Sequence, residues 1–155
     1  MTGFEPLAVR QDWNRATEAD WAKVLSELPL FSGLGKRQLR KVVRQATFAE
    51  FVPGQEVLLT GSPADGFYVI LSGTARARGK PSARTLRTGD YFGEIALLDG
   101  QPRSATVVAT DELHVMKLPR RTFLQLLERH GDAALRIMTE LGARVRHLEH
   151  LPSAS

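Results

Sequence analysis

The residues best suited to bind a ligand lie in one stretch, from Gly89 to Ala109, which reads GDYFGEIALLDGQPRSATVVA. Here a predicted strand ends in a glycine turn, a short helical piece follows, and Pro-Arg-Ser leads into another strand. Gly93 lets the backbone approach a ligand closely, and the exposed amides of the turn from Glu94 to Leu97 can donate to a phosphate. Arg103 can add a charge-assisted hydrogen bond worth about 1.5–3 kcal/mol. The pattern predicts a cradle for an anion.

A carboxylate, that of Glu94, stands inside this predicted cradle and needs a separate explanation. It would repel a phosphate unless it faced a different group of the ligand. A carboxylate accepts hydrogen bonds, so a ribose hydroxyl would suit Glu94 while Arg103 neutralises the phosphate. The residues alone therefore predict a sugar-phosphate ligand. The alternative is that Glu94 and Arg103 pair with each other and the cradle is empty.

The composition limits the classes of protein to consider. The 155 residues are 43% hydrophobic and 25% charged, which predicts one packed globular domain. The chain has no cysteine, which excludes disulfide bonds, thiol catalysis and thiolate metal sites. The net charge of +4 is modest and the basic residues occur in helix, hairpin and C-terminal segments, so direct nucleic acid binding is not predicted. The chain has no signal-peptide pattern and no apolar stretch near the roughly 20 residues of a membrane span, so a soluble cytoplasmic protein is expected.

Two helices are predicted before the strands begin, within residues 17–47. Residues 1–16 show no clear periodicity, and their order is left undecided. Thr17 and Asp20 resemble a capping box at the start of the first helix. Apolar side chains then recur at helical spacing in both helices: Trp21, Val24, Leu25 and Leu28 in the first, and Leu39, Val42, Val43 and Ala46 in the second. The basic side chains of the second helix are interpreted as a solvated face: Lys36, Arg37, Arg40, Lys41 and Arg44.

Residues 48–118 have the character of an all-β segment. Short runs of Val, Ile, Leu, Tyr and Thr alternate with predicted glycine turns at positions 54, 61, 66, 73, 79 and 89. The run FYVILSG is apolar throughout, as expected for a strand buried on both sides. The predicted fold class is mainly β with flanking helices (α+β). The architecture is a jelly-roll-like β-roll, or double-stranded β-helix, with N-terminal helices and two C-terminal helices.

The two C-terminal helices are predicted within residues 119–150, followed by a tail of residues 151–155. Pro119 suits the first turn of the first of these helices, and Gly131 interrupts the pattern. The final helix then has apolar residues at heptad spacing, at Ala134, Met138, Leu141, Val145 and Leu148. This seam can pack on the β-roll or pair with a second chain, and its short length leaves both open.

The segment FGEIALLDGQPRSAT resembles the phosphate-binding cassette of cyclic-nucleotide-binding domains, with its Phe-Gly-Glu opening and its Pro-Arg followed by small residues. The cassette spans residues 92–106. The resemblance extends from about Leu28 to His150, through the LPLF entry, the glycines at positions 54, 61 and 73, the FYVILSG strand and the closing helices. It implies the β-roll of that family and a cyclic nucleotide, cAMP or cGMP, as ligand, with no further cofactor.

The resemblance also implies roles for individual residues. Glu94 would bind the ribose 2′-hydroxyl, Arg103 the equatorial phosphate oxygen, and the amides near Gly93 and Ala96 would complete the cradle. Ser104 would add a hydroxyl contact. The implied phosphate and ribose set is Phe92, Gly93, Glu94, Ile95, Ala96, Arg103, Ser104 and Ala105.

Two further arginines are candidates for contacts with the base. The final helix resembles that of bacterial channel-type domains, in which an arginine caps the base, and Arg144 takes that position. Arg136 and Arg146 compete for it, and the alternative is a solvated Arg144. Arg84 stands where cGMP-dependent kinases contact guanine, although a charged residue on an exposed strand is commonly only solvated. The resemblance to bacterial domains favours cAMP slightly over cGMP.

The histidines do not predict a metal site. His147 and His150 lie one helical turn apart, but no third ligand is evident. His114 is expected to stand alone in its strand, with no cluster of His and carboxylate ligands around it. No Ser-His-Asp set or carboxylate pair stands out, and the cassette of the resembled family binds without reacting, so no enzyme activity is predicted.

The function predicted from the sequence is a cyclic nucleotide sensor whose closing helices shift when the ligand binds. The signal would pass to an unidentified protein partner, or to a second copy through the last helix. A transcription regulator of the catabolite-activator type is disfavoured, because residues 151–155 leave no room for its DNA-binding domain. The alternatives that stay open are a sensor fragment of a larger transcription regulator, channel, kinase or acyltransferase, and a degenerate roll that acts as an interaction scaffold.

Overall fold

The computed structural model describes residues 17–79 and 83–149. The N-terminal part contains α1 (Glu18–Ser26), a short 3-10 helix (Pro29–Phe31) and α2 (Lys36–Gln45). The predicted capping box is confirmed, since Thr17 and Asp20 exchange hydrogen bonds of 3.1 and 2.9 Å between side chain and backbone. The predicted apolar stripes of both helices are buried except for half-buried Ala46.

The predicted β-roll is confirmed as two antiparallel four-stranded sheets. The strands of the described residues are Thr47–Phe51 (β1), Glu56–Leu58 (β2), Gly66–Ser72 (β3), Ala75–Arg78 (β4), Ala83–Leu86 (β5), Tyr91–Phe92 (β6), Thr106–Ala109 (β7) and Leu113–Pro119 (β8). The strand orders of the two sheets are β1-β8-β3-β6 and β2-β7-β4-β5. The predicted turn at Gly66 is wrong, because this glycine is the first residue of β3 and pairs with Pro119.

Strand β3 is buried on both faces, as the run FYVILSG predicts. Successive side chains of a strand point to opposite sides, so the strand contributes to two cores. Phe67, Val69 and Leu71 belong to the apolar cluster beneath the helices. Tyr68 and Ile70 belong to the cluster between the two sheets. A continuous apolar run therefore joins the helical layer to the roll through one strand.

Two helices follow β8, namely α4 (Arg120–Arg129) and α5 (Gly131–Glu149). Pro119 precedes α4 as its N-cap residue and ends β8, so the prediction that it lies in the first helical turn is off by one residue. No helix within residues 17–79 and 83–149 is both long and apolar enough to cross a membrane.

The face of α5 that packs on the protein coincides only in part with the heptad seam. Ala133 and Ile137 are buried to 2% and 1% exposure. Met138 and Val145, two members of the seam, are 60% and 53% exposed. The buried stripe is displaced from the seam by one residue at these positions, about 100° around the helix, and rejoins it at half-buried Leu141, which packs against the same core. Leu148 lies outside the residues whose side chains are described.

Candidate functional site

The site is built around a tight turn at Gly93, between β6 and the short helix α3 (Glu94–Asp99). Gly93 has a φ of 90°, a left-handed conformation that side chains disfavour. A Cβ atom at this position would lie 2.8 Å from Nη1 of Arg103 and 3.2 Å from the carbonyl oxygen of Gly66. The turn therefore requires glycine for its backbone conformation and for the space that Arg103 occupies.

Arg103 is buried, with 3% of its surface exposed, and is held at several points. Its Nη1 donates to the carbonyl oxygen of Gly93 at 2.7 Å, and its Nη2 donates to the carbonyl oxygen of Gly66 at 2.7 Å. Its backbone forms a pair of 2.8 Å hydrogen bonds with Gly61 and Ser62, in the turn after β2. These contacts fix the guanidinium beneath the turn that precedes α3.

Asp65 links Arg103 to a second cation. Its Oδ1 accepts from Nη2 of Arg103 at 3.2 Å, and its Oδ2 accepts from Nζ of Lys117 at 2.6 Å. Partial burial acts to raise the pKa of Asp65, but the hydrogen bond and charge of Lys117, with the bond from Arg103, outweigh it and hold the pKa below its usual value. The carboxylate of Asp65 thus partly balances the charge of Arg103, and Glu94 is not the ionic partner of this arginine.

Glu94, the first residue of α3, is 1% exposed and forms an ion pair with Arg144 of α5. The alternative in which Glu94 pairs with Arg103 is therefore wrong, because each of these residues has a different ionic partner. Arg84 on β5 lies near the same pair. Burial lowers the pKa of Arg84, the charge of Arg144 lowers it further, and the charges of Glu94 and Asp90 partly offset this.

Tyr91 contributes a second contact between the roll and α5. Burial raises the pKa of its phenol well above the usual value, and the neighbouring carboxylate of Glu140 raises it further. The hydroxyl is thus neutral at physiological pH. Helix α5 consequently approaches the roll at two polar positions, Glu140 beside Tyr91 and Arg144 beside Glu94, in addition to its apolar stripe.

A cavity of about 350 Å³ opens between these elements. This volume is at the lower end of the range for small-molecule pockets, about 300–1,000 Å³. Every residue that the sequence analysis named for the ligand lines it: Phe92, Gly93, Glu94, Ile95, Ala96, Arg103, Ser104, Ala105, Arg84 and Arg144. The cavity thus brings the cassette together with Arg84 of β5 and Arg144 of α5.

The two competitors of Arg144, namely Arg136 and Arg146, are exposed and do not line the cavity. The geometry also shows that neither Arg84 nor Arg144 is a fully solvated side chain, because both are half-buried.

The sequence analysis missed the apolar part of the wall. The lining residues that it did not assign to the ligand site are Leu58, Ala77, Gly79, Ala83, Val107, Leu141 and Val145. Most of them lie on β2, β4, β5 and β7, where small or branched apolar residues face the cavity. Alternation along these strands marks inward positions in general, but only the pairing of the strands shows which inward positions meet the cassette.

His114 lies between two carboxylates that the sequence analysis did not name. Its Nδ1 is 3.5 Å from Oε1 of Glu50, and its Nε2 is 3.4 Å from Oε1 of Glu112. The two carboxylates contact opposite nitrogens of the ring, an arrangement that surrounds an imidazole and does not converge on one ion. Within residues 17–79 and 83–149, no group of three His, Cys, Asp or Glu side chains could hold a metal ion. His150 lies outside the described residues, as does the side chain of His147.

Comparison with known proteins gives a family for this arrangement. The model of the cyclic nucleotide-binding domain family matches residues 48–130. The cAMP-dependent protein kinase regulatory subunit of Yarrowia lipolytica is 40% identical over 106 residues, which cover 66% of this chain and 28% of that protein. The chain spans about a quarter of the length of the curated relatives it matches. This relative is fungal, so it gives no support to the resemblance to bacterial domains on which the sequence analysis based its preference for cAMP.

Solved structures agree on the architecture. A cAMP-bound PfPKA-R has a TM-score of 0.75 and 26% identity, over 85% of this chain and 47% of that one. The catabolite activator protein of Thermus thermophilus has a TM-score of 0.67 and 28% identity, over 78% of this chain and 60% of that one. The family match covers more than half of the sequence and includes the whole cassette. The chain therefore belongs to the cyclic nucleotide-binding domain family.

Proposed function

We propose that this domain is a sensor that binds a cyclic mononucleotide, with cAMP preferred, in the cavity between the roll and α5. The observation that carries the proposal is the common position of the ten predicted residues, which come from three separate parts of the chain and line one cavity. The relatives support cAMP, because they are named as cAMP-dependent regulatory subunits and one of the solved structures contains cAMP. The role is binding and not catalysis, as expected of a regulatory domain.

The phosphate of the ligand would lie against Arg103 and the first amides of α3. A guanidinium has five N–H donors, and three hydrogen bonds to Gly93, Gly66 and Asp65 use three of them. Its buried Nε–H has no acceptor among the described residues. Arg103 is therefore fixed in place and still has donors for a phosphate oxygen. The amides of α3 would add further donors, at the end of the helix that favours negative charge.

The ribose would lie against Glu94, and this contact couples the ligand to α5. The carboxylate of Glu94 is engaged by Arg144. A ribose hydroxyl that donates to Glu94 would compete with this ion pair or rearrange it, because both need the same buried oxygens. Ligand binding would then change the position of α5, which is the shift of the closing helix that the sequence analysis expects. Arg144 lines the cavity. Once it is released from Glu94, it would be free to contact the base.

Isothermal titration calorimetry with cAMP and, separately, cGMP tests the proposal, on protein checked to be free of co-purified nucleotide. We expect saturable binding, tighter for cAMP. Arg103→Ala should weaken it at least tenfold, which corresponds to about 1.4 kcal/mol and to the loss of one charge-assisted hydrogen bond. The matched control is Arg136→Ala, which removes an exposed arginine outside the cavity and should leave the affinity unchanged.

Circular dichroism of each variant separates loss of binding from loss of the fold. Unchanged affinity in folded Arg103→Ala would refute the assigned role of this arginine. If neither nucleotide binds the wild-type chain, the domain is a non-binding roll that acts as an interaction scaffold.

The choice between bases depends on Arg84, which lies on the wall of the cavity. Its guanidinium could donate to two acceptors on the edge of a guanine. Desolvation and the charge of Arg144 lower its pKa, so an acceptor on the ligand would stabilise its charged form. If the cGMP affinity falls in Arg84→Ala while the cAMP affinity holds, Arg84 is a guanine contact. If both affinities are unchanged, Arg84 does not contact the base.

Two receivers of the signal fit the geometry of α5, a partner protein or a second copy of the chain. Three apolar side chains of this helix, Leu135, Met138 and Val145, are more than half exposed. The named relatives are regulatory subunits, which favours a partner protein. Light scattering with and without cAMP distinguishes the two receivers. A monomer in both states excludes a dimer through α5 and leaves the partner protein.

A further inference from the structure

A second concave surface lies between α2 and α4, and it shares no lining residue with the cavity of the cassette. We call it the α2–α4 groove. It encloses about 260 Å³. Its floor includes Leu34, Val42 and Leu126, of which the last two are buried and the first is half-buried. Lys41 and Arg129 lie on opposite sides of it, one on each helix. The surface therefore combines an apolar recess with a cationic rim.

The charge of the two helices is strongly one-sided. Helix α2 has five basic residues and no acidic one, and α4 has three basic residues and one acidic residue, Glu128. The eight basic side chains are all exposed: Lys36, Arg37, Arg40, Lys41, Arg44, Arg120, Arg121 and Arg129. The whole chain has a net charge of only +4, so the remainder is net acidic and the positive charge is concentrated on these two helices.

This charge is scarcely compensated within the chain. Arg44 lies 3.7 Å from Glu18 of α1, and this pair is exposed. Among residues 17–79 and 83–149, no other basic side chain of α2 or α4 forms an ion pair. Like charges this close repel one another, which costs stability and is relieved when an acidic partner binds. The arrangement thus goes beyond a helix face that only needs to be solvated.

We propose that the α2–α4 groove docks an acidic, amphipathic helical segment of a partner protein. Apolar side chains of that segment would enter the recess formed by Leu34, Val42 and Leu126, and its carboxylates would face Lys41 and Arg129. This is the mode in which an amphipathic helix places its apolar face in a hydrophobic groove and its charged positions on the rim. The proposal is independent of nucleotide binding, because the two surfaces are lined by different residues.

The shape of the surface argues against other polyanionic partners. A membrane surface is bound by apolar side chains that project from a helix. The large exposed apolar side chains of the described residues lie elsewhere, and none is on α2 or α4. A nucleic acid backbone needs cations but has no use for an apolar recess between them. An acidic peptide with apolar anchors uses both features.

Fluorescence anisotropy with the full chain tests the proposal. The probe is a labelled peptide of about 16 residues, four helical turns, with Leu at positions i, i+3, i+4 and i+7 and Glu at most others. A scrambled peptide of the same composition is the control probe. We expect the amphipathic peptide to bind, and Lys41→Glu/Arg129→Glu to weaken binding at least about tenfold. Gln125→Trp, which fills the groove from α4, should weaken it without changing the net charge.

The matched control is Arg76→Glu/Arg87→Glu, which makes the same change in net charge at exposed positions on β4 and just after β5, outside the groove. Its peptide affinity should stay within about twofold of the wild type at physiological salt, where charges more than about 8 Å away are screened. The cAMP affinity of every groove variant should match the wild type, which shows that the variants are folded. A failure of cAMP binding in the wild type would leave the peptide test intact.

Three results would overturn the proposal. Equal losses of peptide affinity in Lys41→Glu/Arg129→Glu and in the control double variant would show that the effect comes from net charge. Suppose that the scrambled peptide or duplex DNA binds and that Gln125→Trp does not weaken this binding. The groove would then be a surface that binds polyanions non-specifically. Self-association of the unlabelled chain that Lys41→Glu/Arg129→Glu abolishes would assign the groove to a second copy.

Discussion

Replacement of Gly93 by alanine tests how closely the turn of the cassette is tied to Arg103. Two glycines flank α3, and both are left-handed, with φ values of 90° at Gly93 and 72° at Gly100. They differ in their surroundings. A Cβ at Gly93 would lie 2.8 Å from Nη1 of Arg103, whereas a Cβ at Gly100 would meet nothing within 4 Å. Gly100→Ala is therefore a control that has the backbone strain without the steric contact.

The expected losses of stability follow from the backbone strain and from the steric contact with Arg103. A left-handed alanine costs about 1–2 kcal/mol, which is the full effect expected for Gly100→Ala. In Gly93→Ala the side chain of Arg103 must also move, and the 2.7 Å bond from its Nη1 to the carbonyl oxygen of residue 93 is lost. A hydrogen bond from a charged group is worth about 1.5–3 kcal/mol. In a domain of this size the melting temperature should fall by about 2–8 °C in Gly100→Ala and by about 5–20 °C in Gly93→Ala.

Thermal unfolding followed by circular dichroism measures the difference in melting temperature between the variants. Calorimetry with cAMP measures the difference in their affinity for the ligand. Since Arg103 is the proposed phosphate contact, Gly93→Ala should weaken cAMP binding at least about tenfold. Gly100→Ala should bind nearly as well as the wild type. If the two variants lose the same stability and both keep their affinity, the turn at Gly93 does not position Arg103, and the geometric basis of the proposed site is wrong.

Two further variants test the electrostatics and the packing around the site. The lowered pKa of Asp65 means that its pairing with Lys117 stabilises the fold above the unfolded pKa of about 3.8 and that this stabilisation is lost as the pH falls through the lowered folded value. In urea titrations, Asp65→Asn should therefore be less stable than the wild type at pH 7, and the gap should narrow below about pH 4; a constant gap would contradict the pairing. On α5, Ile137→Ala should cost about 2–5 kcal/mol because this side chain is 1% exposed, whereas Met138→Ala, at 60% exposure, should change the unfolding free energy by less than about 0.5 kcal/mol. The opposite order would show that α5 packs through the heptad seam.

The cassette was predictable because its ligand-binding features are local. Gly93, Glu94 and Arg103 lie within eleven consecutive residues, joined by one turn, the short helix α3 and a short loop, so these residues are necessarily close in space. The special conformation of Gly93 is also a local property, since only glycine adopts it without cost. Short sequence separation is thus the reason why this part of the site could be identified in advance.

The partners of these residues were not predictable in the same way. Asp65 meets Arg103 across 38 positions, and Arg144 meets Glu94 across 50. Nothing in the local pattern distinguishes Asp65 from other exposed carboxylates, and the sequence analysis did not name it. Glu50 beside His114 was missed for the same reason, because it comes from a strand whose register with β8 is decided by the sheet.

The sequence by itself determined the order and type of the elements, the apolar faces of the first two helices, the burial of β3 and the residues of the cassette. These follow from periodicity, capping and turn chemistry, which act over a few residues. Tertiary structure decided which stripe of α5 packs on the roll, which carboxylate holds Arg103, and that two basic helices meet along a groove. Each of these depends on side chains brought together from distant positions, where the balance of burial, charge and space is set only after the chain has folded.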